Sequence, residues 1–265
     1  MTIAPLEVIE RLFTEERLRF PVLESGPGIP DSPEVLIARE RREWELADLI
    51  LRGSEYVADS LAEVGVPASK CRVVRWGYSG SRVETDRSQY TGPLRVLIAG
   101  TVELRKGIPD ALEAARLLAD TRYHLRFVGP LRVSGRVIEE QFTHRISGTT
   151  IEYGGPVPRS QMSLEYQSAD MLLHPSLAEG SAIVCYEAMA HGLPVIATPD
   201  AGAIITDGQV CPSYERTNIH ETSPPISTDR PGSRRRCSDT AAAPGRVTRS
   251  ECGLADLSRD KAGVD

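Results

Sequence analysis

Residues 175–202 read PSLAEGSAIVCYEAMAHGLPVIATPDAG. Just before them, Asp170 to His174 (DMLLH) is a short apolar run, and within them Pro194 to Ala197 is another. Between these runs, Ala182 to His191 carries helix-forming residues and stops at Gly192, a residue suited to the left-handed position that ends a helix. Strand, turn, helix and strand in that order make the repeating unit of a parallel sheet. Glu179 falls in the turn and Glu187 inside the helix, eight residues later; at a rise of 1.5 Å per residue they are separated by up to about 12 Å along the axis. Two carboxylates at that separation suit the opposite ends of an extended ligand. Gly180 and Ser181 open the helix ahead of Ala182, where unpaired backbone N–H groups and the positive end of the helix dipole favour a phosphate. The turn also lies at the carboxyl end of a parallel strand, where open α/β sheets bind their ligands.

Moving towards the N-terminus, the same alternation continues. Leu94 to Ala99 (LRVLIA) reads as a strand running into Gly100, and Ile108 to Ala119 as a helix with Ala111, Leu112, Ala115 and Leu118 on its buried stripe. Tyr123 to Val128 and Thr150 to Tyr153 follow as strands, with helices expected at Val137 to Ile146 and Ser160 to Gln167. Strands this apolar belong in a sheet covered on both faces. The fold class is therefore α/β, with a doubly wound, Rossmann-like parallel sheet over residues 94–209.

Residues 1–78 have the same grammar but are incomplete. A helix is expected from Glu34 to Asp48, with Leu36, Trp44 and Ala47 facing inward, and a short amphipathic one near Val8, Ile9 and Leu12. Asp48 to Leu51 and Arg72 to Val74 read as strands flanking a helix from Glu55 to Val64, for which Ser54 is the N-cap and Gly65 the C-terminal stop. Residues 79–93 are polar and read as a linker. Beyond Asp207-Gly208 the pattern breaks in mid-motif: between Cys211 and Ser250 the sizeable apolar residues are Tyr214, Ile219, Ile226 and Val247. Residues 210–265 are expected to be disordered, and to be a translated frameshift.

The 265 residues are 40% hydrophobic and 26% charged, with a net charge of −6, which gives no electrostatic footprint for nucleic acid. The N-terminus lacks the apolar core of a signal peptide, and no stretch approaches the roughly 18 apolar residues of a membrane span. A cytoplasmic location is expected, with contact at a membrane surface left open. The five cysteines (Cys71, Cys185, Cys211, Cys237, Cys252) show no metal-like pairing and are expected as free thiols.

Taken whole, the string Pro175–Gly202 resembles the donor-site signature of the family 4 retaining glycosyltransferases, enzymes of the GT-B fold, with Glu179 and Glu187 in the places of their E-x7-E pair. The resemblance extends to Ala99–Gly107 (AGTVELRKG), where Lys106 matches the lysine that reaches the donor's phosphates. Many members carry arginine directly after the first glycine; here that place is Thr101, leaving Arg105 as the second cation. Tyr153–Val157 (YGGPV) resembles the loop beside the nucleobase, Phe127–Pro130 (FVGP) the strand end next to it, and Ala47–Gly77 the last β-α-β stretch of the family's acceptor domain.

What this resemblance implies is transfer of a hexose from a UDP- or GDP-sugar to an acceptor hydroxyl with retention, without metal or cofactor. Glu179 would be the catalytic-site residue at the reacting end of the sugar. Thr101, Arg105, Lys106, Val157, Gly180, Ser181, Ala182 and Glu187 would bind the donor, with Glu187 on the ribose and Lys106 and Arg105 on the diphosphate. The acceptor is unidentified. The family's early glycine-rich turn, its sugar-orienting histidine and its C-terminal bracing helices have no counterpart here, so the alternative is a truncated, catalytically silent nucleotide-sugar-binding fragment. A nucleotide-sugar epimerase of the same fold would not need Lys106-Gly107 together with the glutamate pair, and a dinucleotide-dependent oxidoreductase would need a G-x-G-x-x-G that the first strand does not have. His191, at a helix end, reads as a capping or surface residue, and His174, before Pro175, as ambiguous.

Overall fold

Five parallel strands form the main sheet in a computed structural model of the chain, which describes residues 4–21, 23, 32–80, 82–83, 85–87, 89–117, 122–133 and 149–205. The first two strands of the chain, β1 (Ile50–Arg52) and β2 (Cys71–Val73), pair separately and in parallel, Ile50 opposite Cys71. The main sheet contains β3 (Leu94–Ala99), β4 (Tyr123–Val128), β5 (Thr150–Gly155), β6 (Met171–His174) and β7 (Val195–Ala197). Their spatial order is β5-β4-β3-β6-β7. Strand order therefore reverses between β3 and β6, which creates the crevice at the carboxyl ends where doubly wound sheets take ligands.

The alternation of side chains along β3 explains why both faces are covered. Val96 and Ile98 enter one core with Leu125, Phe127 and Ile151, while Leu97 and Ala99 enter the other with Val128, Leu172 and Val195. Helix α4 (Ile108–Leu117) closes the first face through Ala111, Leu112 and Ala115, as its stripe predicts. Helix α1 (Leu6–Arg19) adds Ile9 and Phe13 to that same core, so the N-terminal helix packs on the main sheet. The second face is closed by α5 (Met162–Ser168) and α6 (Ile183–Ala190), through Tyr166, Cys185 and Ala188. Each large aliphatic or aromatic side chain buried this way stabilises by about 1.5–3 kcal/mol.

Helix α2 (Pro33–Leu46) buries no residue fully; Leu36, Trp44 and Ala47 are half-buried, the latter two against the small core of Ile50, Val57, Leu61, Val66 and Cys71. Helix α3 (Glu55–Glu63) begins as expected, with Ser54 Oγ accepting from the Val57 N–H at 3.3 Å, and Gly65 follows it at a φ of 87°.

Several sequence expectations shift in register. The helix expected at Ser160 starts as a 3-10 turn, Arg159–Gln161, before α5 proper. Asp170 stands just ahead of β6, its carboxylate accepting from Arg95, and β5 runs on to Gly155. The helix expected at Val137–Ile146, Leu118 and the tail 210–265 lie outside the described residues. Cys71 and Cys185 are buried free thiols; the other three cysteines also lie outside.

Residues 79–93 are fastened to the main sheet's helices. Arg87 reaches three backbone carbonyls there: Nε donates to Ala169 at 2.7 Å, and Nη2 to Tyr166 at 3.1 Å and His191 at 3.2 Å. Val83 N–H adds a bond to Ala190 O at 2.8 Å.

Candidate functional site

The loops leaving β3 and β6 meet at the point of strand-order reversal. After β3 the chain turns through Gly100 and Thr101, then makes a 3-10 turn, Leu104–Lys106, ending at Gly107 with a φ of 66°. After β6 it passes Pro175 and Ser176 to Glu179. The two loops are tied by Leu177 N–H to Arg105 O at 2.8 Å and by Ser176 Oγ to the same carbonyl at 3.2 Å. Gly107 cannot be replaced without strain: a Cβ there would collide with the carbonyl oxygen of Pro175. The lysine-glycine pair thus has a structural reason, since glycine lets the first loop close on the second while lysine projects from it.

Glu179 is the centre of the cluster. Its Oε1 accepts from Lys106 Nζ and from Ser176 Oγ at 3.0 Å, and its Oε2 lies 3.5 Å from Arg105 Nη1. His174 Nε2 is 3.6 Å from Oε1, too far for a full hydrogen bond, and has no other partner among the described residues. Burial first of all pushes the His174 pKa down, reinforced by the charges of Lys106 and Arg105 and opposed by Glu179, so the ring is neutral. For Glu179, burial opposes ionisation, but the charges of Lys106 and Arg105 outweigh it and hold the carboxyl well below the usual carboxylate range. A permanent anion therefore sits between two permanent cations at the head of the crevice.

Arg105 is largely committed: Nη1 donates to Ala178 O at 2.8 Å and Nη2 to Glu103 Oε1 at 2.7 Å. It braces the Glu179 turn as well as contributing charge. Thr101 is half-buried and makes no hydrogen bond to Lys106 or Glu179.

The helix start differs from expectation. Gly180 and Ser181 belong to the turn; Ala182 is the N-cap, with no side-chain cap, and α6 begins at Ile183. The turn is bent by Glu179 N–H bonding to Asp200 O and Ala182 N–H to Ala201 O, both at 3.0 Å. The backbone N–H groups of Gly180 and Ser181 find no acceptor among the described residues, and the Ser181 hydroxyl meets Tyr186 Oη at 3.2 Å. These N–H groups are available to an acceptor as the expected helix start would make them, though from the turn that precedes the helix.

Glu187 lies inside α6, away from the Lys106–Glu179 pair. Its Oε2 accepts from Tyr166 Oη at 2.7 Å and its Oε1 from Arg159 Nη2 at 3.2 Å. Val157 packs in the same core as Ala182 and Cys185, which places the loop after β5 alongside. His191 does cap α6, through Nδ1 and the Glu187 carbonyl at 2.7 Å, but it is buried, not at the surface.

Sequence reading passed over Ser176, Tyr166, Arg159 and the bracing function of Arg105. Only Ser176 carried a local signal, its place beside Pro175 at a strand end. The N-terminal part also touches the site: Tyr56 Oη donates to Leu177 O at 3.2 Å, and a Cβ on Gly53 would lie 2.7 Å from Gly180 O. Among the described residues no group of three or more His, Cys, Asp or Glu side chains is placed to hold a metal ion, and no helix is long and apolar enough to cross a membrane.

Comparison with known proteins places this arrangement. WcaL of Salmonella typhimurium, a glycosyltransferase named for colanic acid biosynthesis, is 30% identical over 166 residues, which are 58% of this chain and 40% of that protein. AmsK of Erwinia amylovora, an amylovoran biosynthesis glycosyltransferase, is 29% identical over 170 residues, with the same shares of 58% and 40%. The chain thus spans about two-fifths of the length of these curated relatives. Among solved structures, Alr3699/HepE of Anabaena in complex with UDP and glucose superimposes with a TM-score of 0.56 at 18% identity, covering 73% of this chain and 58% of that one. The lipopolysaccharide outer core galactosyltransferase WaaB gives 0.53 at 17% identity, covering 81% and 68%. These likenesses are of fold, and the fold is GT-B. The family model described as glycosyl transferases group 1 matches residues 84–242. With more than half of its length matched by that model, the chain belongs to the glycosyl transferases group 1 family.

Proposed function

We propose that this chain is the donor-binding part of a retaining hexosyltransferase that uses a UDP- or GDP-sugar. In this reading residues 94–209 are the donor domain, 79–93 the linker and 1–78 part of the acceptor side. The observation that carries the reading is the meeting of Lys106, from the loop after β3, with Glu179, from the loop after β6, at the strand-order reversal.

Charge decides the assignment of roles. In the unliganded chain the Lys106 ammonium is matched by Glu179; an incoming diphosphate offers it more negative charge, so binding is an exchange of partners. Lys106 moves onto the diphosphate, Arg105 remains as a fixed second cation, and the free N–H groups of Gly180 and Ser181 add to the positive field. Glu179, released from lysine, accepts from sugar hydroxyls near the anomeric carbon. Glu187, half a site away, accepts from the ribose, with the Val157 loop beside the base. As the acceptor hydroxyl attacks and the diphosphate departs, the charge that develops is met by groups already in place. Such a field needs no metal. UDP is the first nucleotide to try, because the solved HepE structure holds it.

Calorimetry on the full chain tests this. UDP and UDP-hexoses, or their GDP counterparts, are expected to bind. Lys106→Ala should weaken the diphosphate by about tenfold to a hundredfold and leave the bare nucleoside unaffected, while Glu187→Ala should weaken both. If neither variant changes binding, the assignment is wrong. A second reading is a catalytically silent nucleotide-sugar-binding chain. Donor hydrolysis or transfer by the purified chain would exclude it.

A further inference from the structure

We propose that Tyr166 is the positioning residue for the Glu187 carboxylate, and that it thereby sets how strongly the site prefers a ribonucleotide to its dideoxy form; this rests on the donor-site reading above. Tyr166 is on α5, outside the Pro175–Gly202 string, and is 1% exposed. Its hydroxyl donates to Glu187 Oε2 at 2.7 Å. Burial above all, then the hydrogen bond and charge of Glu187, push the phenol pKa upward, so the group stays protonated and remains a donor.

One lone pair of Oε2 is thus taken, which fixes the torsion of the carboxylate and leaves Oε1 turned to the other side. There the partner is Arg159, whose side chain is 83% exposed. An ion pair with so exposed a member contributes little, and a ribose hydroxyl can take its place. The two oxygens of Glu187 therefore have different standing: one is locked from the core and one is exchangeable.

The lock is itself held. The Tyr166 ring lies against the His191 ring, centroids 5.0 Å apart and tilted by 35°. His191 Nδ1 meets the Glu187 carbonyl at 2.7 Å, and since a carbonyl only accepts, Nδ1 carries the hydrogen. In the neutral ring Nε2 then accepts from Ser163 Oγ at 2.9 Å, and Gln167 donates to that oxygen at 2.9 Å. Glu187 is gripped by its backbone through His191 and by its carboxylate through Tyr166, and the two gripping rings touch. Phenylalanine would fill the same space in the core, so the hydroxyl has a task of its own.

The test is calorimetry of the full chain with UDP, GDP and the dideoxy form of each, on wild type, Tyr166→Phe, Glu187→Gln and the double variant. Thermal unfolding of each variant is followed in parallel. Wild type should prefer at least one ribonucleotide over its dideoxy form. Tyr166→Phe should keep its fold and its dideoxy affinity and lose about tenfold of that preference, the size of one hydrogen bond to a charged group. Adding Tyr166→Phe to Glu187→Gln should lower the preference no further. An unchanged preference in Tyr166→Phe, or an equal loss for both sugar forms, overturns the inference and leaves the donor reading standing. If wild type binds neither nucleotide, or Glu187→Gln binds as wild type does, the donor reading falls and the inference with it.

Discussion

Strands β3 and β6 lie side by side, and at each end of the pair an acid meets a base. At the N-terminal end Asp170 accepts from Arg95 three times, from the backbone N–H at 2.9 Å, Nε at 3.1 Å and Nη2 at 3.0 Å. The guanidinium is covered by the Tyr90 ring at 3.8 Å. At the C-terminal end Glu179 is shared among Lys106, Arg105, Ser176 and His174, and the lysine is an unbranched chain holding a point charge. The first cluster has matched donors to acceptors, three bonds onto one carboxylate. The second shares one carboxylate among several donors, with no bidentate geometry. Charge alone does not mark a functional site; a charge cluster whose partners can be exchanged does.

Removing the acid at each end should separate the two most sharply. Asp170→Ala strands a partly buried guanidinium and unties the starts of both strands, and is expected to destabilise by about 3–5 kcal/mol, read as a lowered denaturation midpoint. Glu179→Gln should cost less, about 1–3 kcal/mol, because the amide keeps the Ser176 bond and the site while Lys106 and Arg105 lose one charged partner. Equal losses would show that both clusters are structural.

Gly107→Ala tests whether the open end depends on the loops closing. With φ at 66° and a Cβ driven into the Pro175 carbonyl, the expected loss is about 1–3 kcal/mol. Nucleotide binding should fall more than the unfolding midpoint suggests, because Lys106 is displaced with the loop. A variant that binds nucleotide like wild type would remove the steric reason for the lysine-glycine pair.

The smallest effect is one of pH. The His174 pKa is lowered in the folded chain, so below an unfolded value of about 6.5 the unfolded chain takes up a proton that the folded chain refuses. Stability should decline as pH falls through that window, and His174→Gln should flatten the decline. Glu179, whose pKa is also lowered, contributes in a separate window: its stabilisation is present above an unfolded value of about 4.3 and is lost on further acidification. Asp170→Ala should leave the upper window unchanged.

How far the sequence disclosed this site depends on the kind of contact involved. Strand β3 and strand β4 have the ends their apolar runs predict, since period and turn glycine act locally. The Ser54 cap was legible for the same reason. Lys106 and Glu179 could each be singled out, but not their ion pair, because 73 residues of chain separate them and only strand order brings the loops together. Tyr166 reads as an ordinary core aromatic until α5 is laid against α6. The true start of α6 at Ile183 was hidden because its N-cap, Ala182, has no capping side chain, and the turn before it is shaped by carbonyls of residues 200 and 201.

Arg87 illustrates a different economy. Its three bonds to the helices all go to main-chain carbonyls, at Ala169, Tyr166 and His191, and a carbonyl is the same whatever side chain accompanies it. Together with the Val83 N–H bond to the Ala190 carbonyl, these bonds fasten residues 79–93 to the two helices behind Glu187 through main-chain acceptors. These bonds set no demand of their own on the side chains at those three positions, while a change at Arg87 itself would have no compensating substitution on the opposite side.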